Sequence, residues 1–182
     1  MKKKRQAIFE IILLLSFIVL VVFAVYNGNK LNTLKEQSAS RTVVGVIQIG
    51  ETFQQDELRM YEYENLHNFV LDDTDQAMRD FQYISFSEKL PYLNSYFIVC
   101  RDYTYLVVNE LISEDDREAL RQILLQYSGR TVTDQKGENT GRTNSAHLKE
   151  MDRELQKYIE STEESRQEYE QLKYDLSTRK AP

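Results

Sequence analysis

Cysteine, tryptophan, histidine and proline are almost missing from this chain of 182 residues, which holds one Cys, no Trp, two His and two Pro. A single thiol makes an internal disulfide impossible, so the fold has to be held by its core. Cys100 lies in Tyr96-Phe97-Ile98-Val99-Cys100, where cysteine reads as a small buried hydrophobe rather than a cross-link. His67 and His147 are far apart and form no H-E-x-x-H or other metal spacing. There is no G-x-S-x-G elbow and no Cys–His arrangement for nucleophilic catalysis. Gly137-Glu138-Asn139-Thr140-Gly141 lacks the Gly-Lys-Ser/Thr ending of a phosphate loop. Asp72-Asp73-Thr74-Asp75 lacks the alternating ligands, glycine turn and distant Glu of a calcium loop. The remaining carboxylates are scattered as an acidic surface would be. The chain therefore reads as non-enzymatic, with no cofactor and no metal.

Charge is unevenly divided along the chain. Four basic groups and one acid fall in the first ten residues; the rest carries a net charge of −9. So acidic an exterior repels nucleic acid, whose binding rests on neutralising phosphates.

Residues 7–26, AIFEIILLLSFIVLVVFAVY, are the one long apolar run, with Glu10 its only charge. At 1.5 Å per residue it matches the hydrocarbon core of a bilayer. It is longer than a signal-peptide core, and Ala24-Val25-Tyr26 makes a poor cleavage site. It is read as an uncleaved anchor. The positive-inside rule puts residues 1–6 in the cytoplasm and the rest outside it, a single-pass protein of the cell membrane. Glu10 is one turn from the basic end and is a candidate contact between subunits.

Lys2, Lys3, Lys4 and Arg5, followed by Ala7 and Glu10, resemble the layout of type IV pilin-like proteins. That layout has a short basic leader ending in Gly or Ala, then an apolar helix with an early Glu. The resemblance covers about ten residues. It implies cleavage after Ala7 and a pilin-like subunit. Two departures stand against it: Glu10 becomes the third mature residue, where the family has its Glu at the fifth, and Ile8 stands where Phe or Met is usual.

The exterior reads as α+β. Residues 27–41 are a polar stalk in which the anchor helix ends near Ser38-Ala39-Ser40. Residues 42–129 form the domain. Its first element is a strand, residues 42–49, rich in β-branched side chains, with Gly45 marking a bulge or a close approach. A helix opens at Thr52 with Leu58, Tyr61, Leu66 and Phe69 on one face. Asp72 to Asp75 cap a second helix, with Ala77, Phe81 and Ile84 as its core stripe. Pro91 ends any helix before it. Residues 96–101 and 104–109 read as a β-hairpin turning at Asp102-Tyr103. Ser113 caps the next helix, whose buried face is Ala119, Leu120, Ile123, Leu124 and Tyr127 and whose stop is Gly129.

Residues 130–145 form a polar linker. From 146 to 178 no Gly or Pro occurs, and large residues recur at 3-4 spacing: Leu148, Met151, Leu155 and Tyr158, then Tyr169, Leu172 and Leu176. Thr162 and Ser165 weaken the middle of this frame. The pattern predicts a long amphipathic helix that pairs as a coiled coil, with itself or with another envelope protein, or else folds back on its own domain. The expectation is a membrane-anchored scaffold or assembly component of an envelope complex. The alternatives are a ligand- or wall-binding accessory subunit using Tyr61, Tyr63 and Tyr105, or a pilin-like subunit.

Overall fold

The computed structural model describes residues 2–55, 58–86, 88–132 and 143–179, with side chains from residue 11 onward except that of Val132. No strand occurs among the described residues. The expected α+β domain is instead a bundle of helices, and each misread element has a physical cause.

The first helix, α1, runs unbroken from Lys2 to Phe53, 52 residues. Its apolar first half, from Ile11 to Tyr26, is bare and is long and apolar enough to cross a membrane. The helix does not end at residues 38–40. Ala39, Val43, Val46, Ile49 and Phe53 lie inside the core. The expected stalk and the expected strand are thus the second half of this one helix. Extending an existing helix needs no new nucleus. Its β-branched residues cost at most about 0.7 kcal/mol each in helix propensity, whereas burying a Val or Ile stabilises by about 1.5–3 kcal/mol.

Next come α2 (Met60–Asn68), a π-helical turn (Phe69–Thr74) and α3 (Asp75–Ser85), which follow one another without interruption. The helix expected to open at Thr52 starts at Met60, where the Arg59 backbone N–H donates to Glu62 Oε2 at 2.6 Å. The acids at 72–75 do not cap a new helix. The chain passes through them helically, with the Asp75 N–H bonded to the Val70 carbonyl. Val70, Ala77, Met78 and Phe81 point inward.

Pro91 stands in the first turn of α4 (Pro91–Val108), where its missing N–H costs nothing. This helix replaces the expected β-hairpin. Leu93, Tyr96, Phe97, Val99, Cys100, Tyr103, Leu106 and Val107 bury most of its circumference. A helix apolar nearly all round shows little 3.6-residue period, so its aromatic and β-branched run imitates strands. Asp102, expected in the turn, is buried and pairs with Arg101 at 3.1 Å.

In α5 (Glu114–Val132) the cap stands as expected: Ser113 Oγ accepts the Asp116 N–H at 3.1 Å. Gly129 does not stop the helix, and Ala119 and Ile123 are exposed while Leu124 and Tyr127 are buried. Arg121 joins them in the interior. Its Nη1 donates to the Phe53 and Gln55 carbonyls at 2.9 and 2.7 Å, and its other nitrogens fork onto Glu118. A cation thus sits on the unpaired carbonyls at the end of α1. The Arg121 guanidinium in turn holds Glu118 down at about 2.

The expected C-terminal rod is two helices of 16 residues each, α6 (Asn144–Ile159) and α7 (Glu163–Thr178). Thr162 divides them, its side chain capping α7 by accepting the Ser165 N–H at 3.0 Å. The linker expected over 130–145 is helical to Val132 and from Asn144; residues 133–142 lie outside the described residues.

The bundle has two ends. At the anchor-proximal end, Lys35 and Glu36 of α1 meet Glu88 and Ser145. At the distal end, Phe53 meets Tyr103 and Arg121.

Candidate interaction surface

The residues singled out from the sequence are mostly spent inside the bundle. Leu148, Met151, Leu155, Tyr169, Leu172 and Leu176 are buried against the chain's own helices. Tyr158 is half-buried, edge-on to Tyr127 at 5.5 Å and beneath Arg130 at 4.4 Å. Lys173 pairs with Glu170 of its own helix at 3.0 Å. The 3-4 period is real, but its face packs on α1, α4 and α5 from α6, and on α4 from α7. The side chain of Glu10, like that of Ala7, lies outside the described residues.

Nor do the tyrosines form a platform. Tyr63 is buried, its hydroxyl 3.1 Å from that of Tyr103, which donates to the Arg117 carbonyl. Tyr61 and Tyr105 are exposed but line none of the hollows described below. His67 hydrogen-bonds Thr104 Oγ1 at 2.9 Å. Burial pushes the Cys100 thiol up to about 12, which makes it inert at neutral pH. No group of three His, Cys, Asp or Glu among the described residues is placed to share a metal ion.

What the fold does create is a groove between the second half of α1 and the continuous helix of residues 60–85. Its centre is the π turn. There Val70 and Thr74, four residues apart, both face inward. Thr74 is 1% exposed and presses on α1 at Gly45. A Cβ added at Gly45 would lie 2.6 Å from Thr74 Cγ2, so only glycine admits this approach. The Thr74 hydroxyl is buried there without a hydrogen-bond partner.

Three adjoining hollows of about 410, 450 and 220 Å³ follow the groove. The first two share Phe69, and the first and third share Arg41 and Asp80. The floor is apolar: Val44, Leu66, Phe69 and Ala77. The rim is charged. Glu51, Asp72, Asp73 and Arg41 are exposed and make no hydrogen bond or ion pair within the described chain. Asp80 accepts from Gln76 at 2.7 Å, and Glu62 is occupied by the Arg59 N–H. An apolar floor with an acidic rim suits a partner segment that is apolar along one stripe and basic beside it. The one sequence signal for this place was Gly45, read as a close approach but assigned to a strand. No family model, curated protein or solved structure matches this chain.

Proposed function

We propose that this protein is a non-enzymatic, single-pass membrane component that assembles an envelope complex. Residues 7–26 span the bilayer, the basic N-terminus lies in the cytoplasm, and the helical bundle stands outside it. The groove between α1 and the helix of residues 60–85 receives the partner protein. The observation that carries this reading is the continuity of α1. One helix is bare and apolar for half its length, then forms one wall of the groove. A partner seated there touches the anchor's own helix, so docking is coupled to the position of the span. The four unpaired charges on the rim supply specificity rather than stability.

The test is photo-cross-linking in intact membranes from a reactive residue at Val44 or Asp73, with Glu170 on α7 as the reference position. One discrete adduct from the groove positions, absent at Glu170 and weakened by Asp72→Lys with Asp73→Lys, supports the reading. The same products from all three positions, or none from any, overturns it.

The bare first half of α1 favours a second reading, a pilin-like subunit whose apolar helix packs against copies of itself. Mass spectrometry of the mature N-terminus separates the two. Cleavage after Ala7 supports the second reading, and an intact N-terminus removes it. Of the three tyrosines behind the wall-binding alternative, Tyr63 is buried and Tyr61 and Tyr105 are exposed.

A further inference from the structure

A second feature of the surface lies away from the groove floor, at the anchor-proximal end. Tyr83 and Phe86 close α3 with their rings 5.9 Å apart, 76% and 78% exposed. No other described aromatic outside the apolar run is so bare. Phe86 also has a φ of 42°, a region that bulky L-residues avoid at a cost of about 1–3 kcal/mol. A strained backbone that holds a large apolar ring out of the core points to a use for that ring outside the chain.

Its place in the fold says what that use is. Two residues beyond Phe86, Glu88 is held by Lys35 of α1 at 2.6 Å and by Lys149 of α6 at 2.9 Å. Burial opposes the charge on Glu88, but the two lysines outweigh it and keep its carboxyl below the usual range. The aromatic tip is therefore pinned level with Lys35, nine residues past Tyr26, where the apolar run ends. Nine residues of helix rise about 13 Å, and the headgroup layer fills about 5–7 Å of that. A typical helix tilt of about 20° lowers a helix packed about 9 Å to the side by about 3 Å. An aromatic side chain covers most of what is left. The local charge agrees. Lys30 and Lys89 are exposed here with no partner in the described chain, on a protein whose exterior is otherwise acidic.

Resting on the reading of α1 as a membrane span, we infer that the Tyr83–Phe86 tip seats in the headgroup region of the same bilayer, a second membrane contact that sets the tilt of the bundle. Aromatic rings favour that depth, and lysines beside them meet anionic headgroups. The bundle then leans toward its α3 side, which fixes the angle at which the groove faces a partner.

The absence of tryptophan provides a clean probe. Full-length Phe86→Trp, Phe23→Trp and Tyr174→Trp proteins are each reconstituted into vesicles of phosphatidylcholine and phosphatidylglycerol, with and without brominated lipid. Phe23→Trp reports the span, Tyr174→Trp an exposed ring on α7, and Tyr83→Trp repeats the tip should Phe86→Trp fold poorly. The expected result is blue-shifted, bromine-quenched emission from residues 23 and 86 but not 174. Quenching at 86 should decline when phosphatidylglycerol is omitted or Lys89→Glu is added. Quenching at 23 with none at 86 or 83 overturns the inference and leaves the span intact. No quenching at 23 overturns the span itself.

Discussion

Replacing Gly45 by alanine adds a single carbon to a helix, and in an isolated helix it would stabilise by about 0.8–1 kcal/mol. Here the opposite is expected. The new Cβ would stand 2.6 Å from Thr74 Cγ2 and 3.0 Å from Thr74 Cβ, and closer still to Oγ1. Carbon atoms pack favourably at about 3.5–4.0 Å, so α1 must move off the π turn or Thr74 must turn. A β-branched side chain in a helix has little freedom to turn, and Thr74 is buried. Overpacking costs about 1–3 kcal/mol, and with two atoms of a buried side chain closer than 3.0 Å the upper part of that range, about 2–3 kcal/mol, applies, which leaves a net loss of about 1–2 kcal/mol after the helix-propensity gain. For a domain of this size that is a fall in Tm of about 2–4 °C per kcal/mol. The assay is thermal unfolding of the full chain in detergent, followed by near-ultraviolet circular dichroism of its 12 tyrosines. Thr74→Ala is the partner substitution. It removes Oγ1 and Cγ2, the two nearest atoms, and with them a buried hydroxyl that has no partner among the described residues; the remaining Cβ contact at 3.0 Å is offset by the helix-propensity gain. In that background Gly45→Ala should be nearly neutral, a coupling of at least about 1 kcal/mol in the double-mutant cycle. If Gly45→Ala alone leaves Tm unchanged or raised, α1 does not pack on the π turn and the groove has no fixed wall.

Other expectations follow from particular contacts. Arg121→Leu strips the Phe53 and Gln55 carbonyls of their donor and should cost about 2–4 kcal/mol by thermal unfolding, with Arg121→Lys restoring only part because an ammonium lacks the fork. Leu155→Ala should cost about 2–5 kcal/mol, the loss of a core residue; a loss below about 0.5 kcal/mol would place Leu155 on a free surface. Glu118 has its folded pKa lowered from the ordinary 4.5 to about 2, so its contribution is full above 4.5 and is lost as pH falls between those values. A Glu118→Gln variant should accordingly show a flatter Tm between pH 5 and pH 2, and parallel curves would refute the pairing with Arg121. Cys100 should resist maleimide at pH 8 in the folded protein and react on denaturation.

The long apolar N-terminal helix was legible because hydropathy is a local property, written in twenty consecutive residues. The Ser113 cap and the Ala77–Phe81 stripe were legible for the same reason: each lies within one or two turns. The two β readings failed where packing, a property of the whole bundle, overrides local preference. In α4 nearly every face is buried, so the period that marks a helix is faint. In residues 42–49 the 3-4 spacing from Ala39 through Val43, Val46 and Phe53 is present, but the β-branched composition that points to a strand disfavours a helix by only a few tenths of a kcal/mol per residue. The 3-4 period of residues 148–176 was legible, and of the two readings it allows, folding back on the chain's own domain is the one whose contacts the structure contains. Its apolar face fills the chain's own core, and Thr162, taken as a weak heptad position, is a helix cap. The groove had no sequence signature because its walls come from segments some thirty residues apart, and only Gly45 hinted at their contact.

One distance tests the central claim, that a single helix leads from the bilayer into the core of the bundle. Spin labels at Tyr26 and Gln48, both exposed on α1, bracket Gly28, the expected stalk and most of the expected strand. Cys100 is buried and does not compete for label. In reconstituted protein, pulsed electron–electron resonance should give one narrow distance near 33 Å, the length of about 22 residues of unbroken helix. A broad distribution, or a distance well short of that, means the helix breaks between anchor and bundle. The coupling of docking to the membrane would then be lost with it.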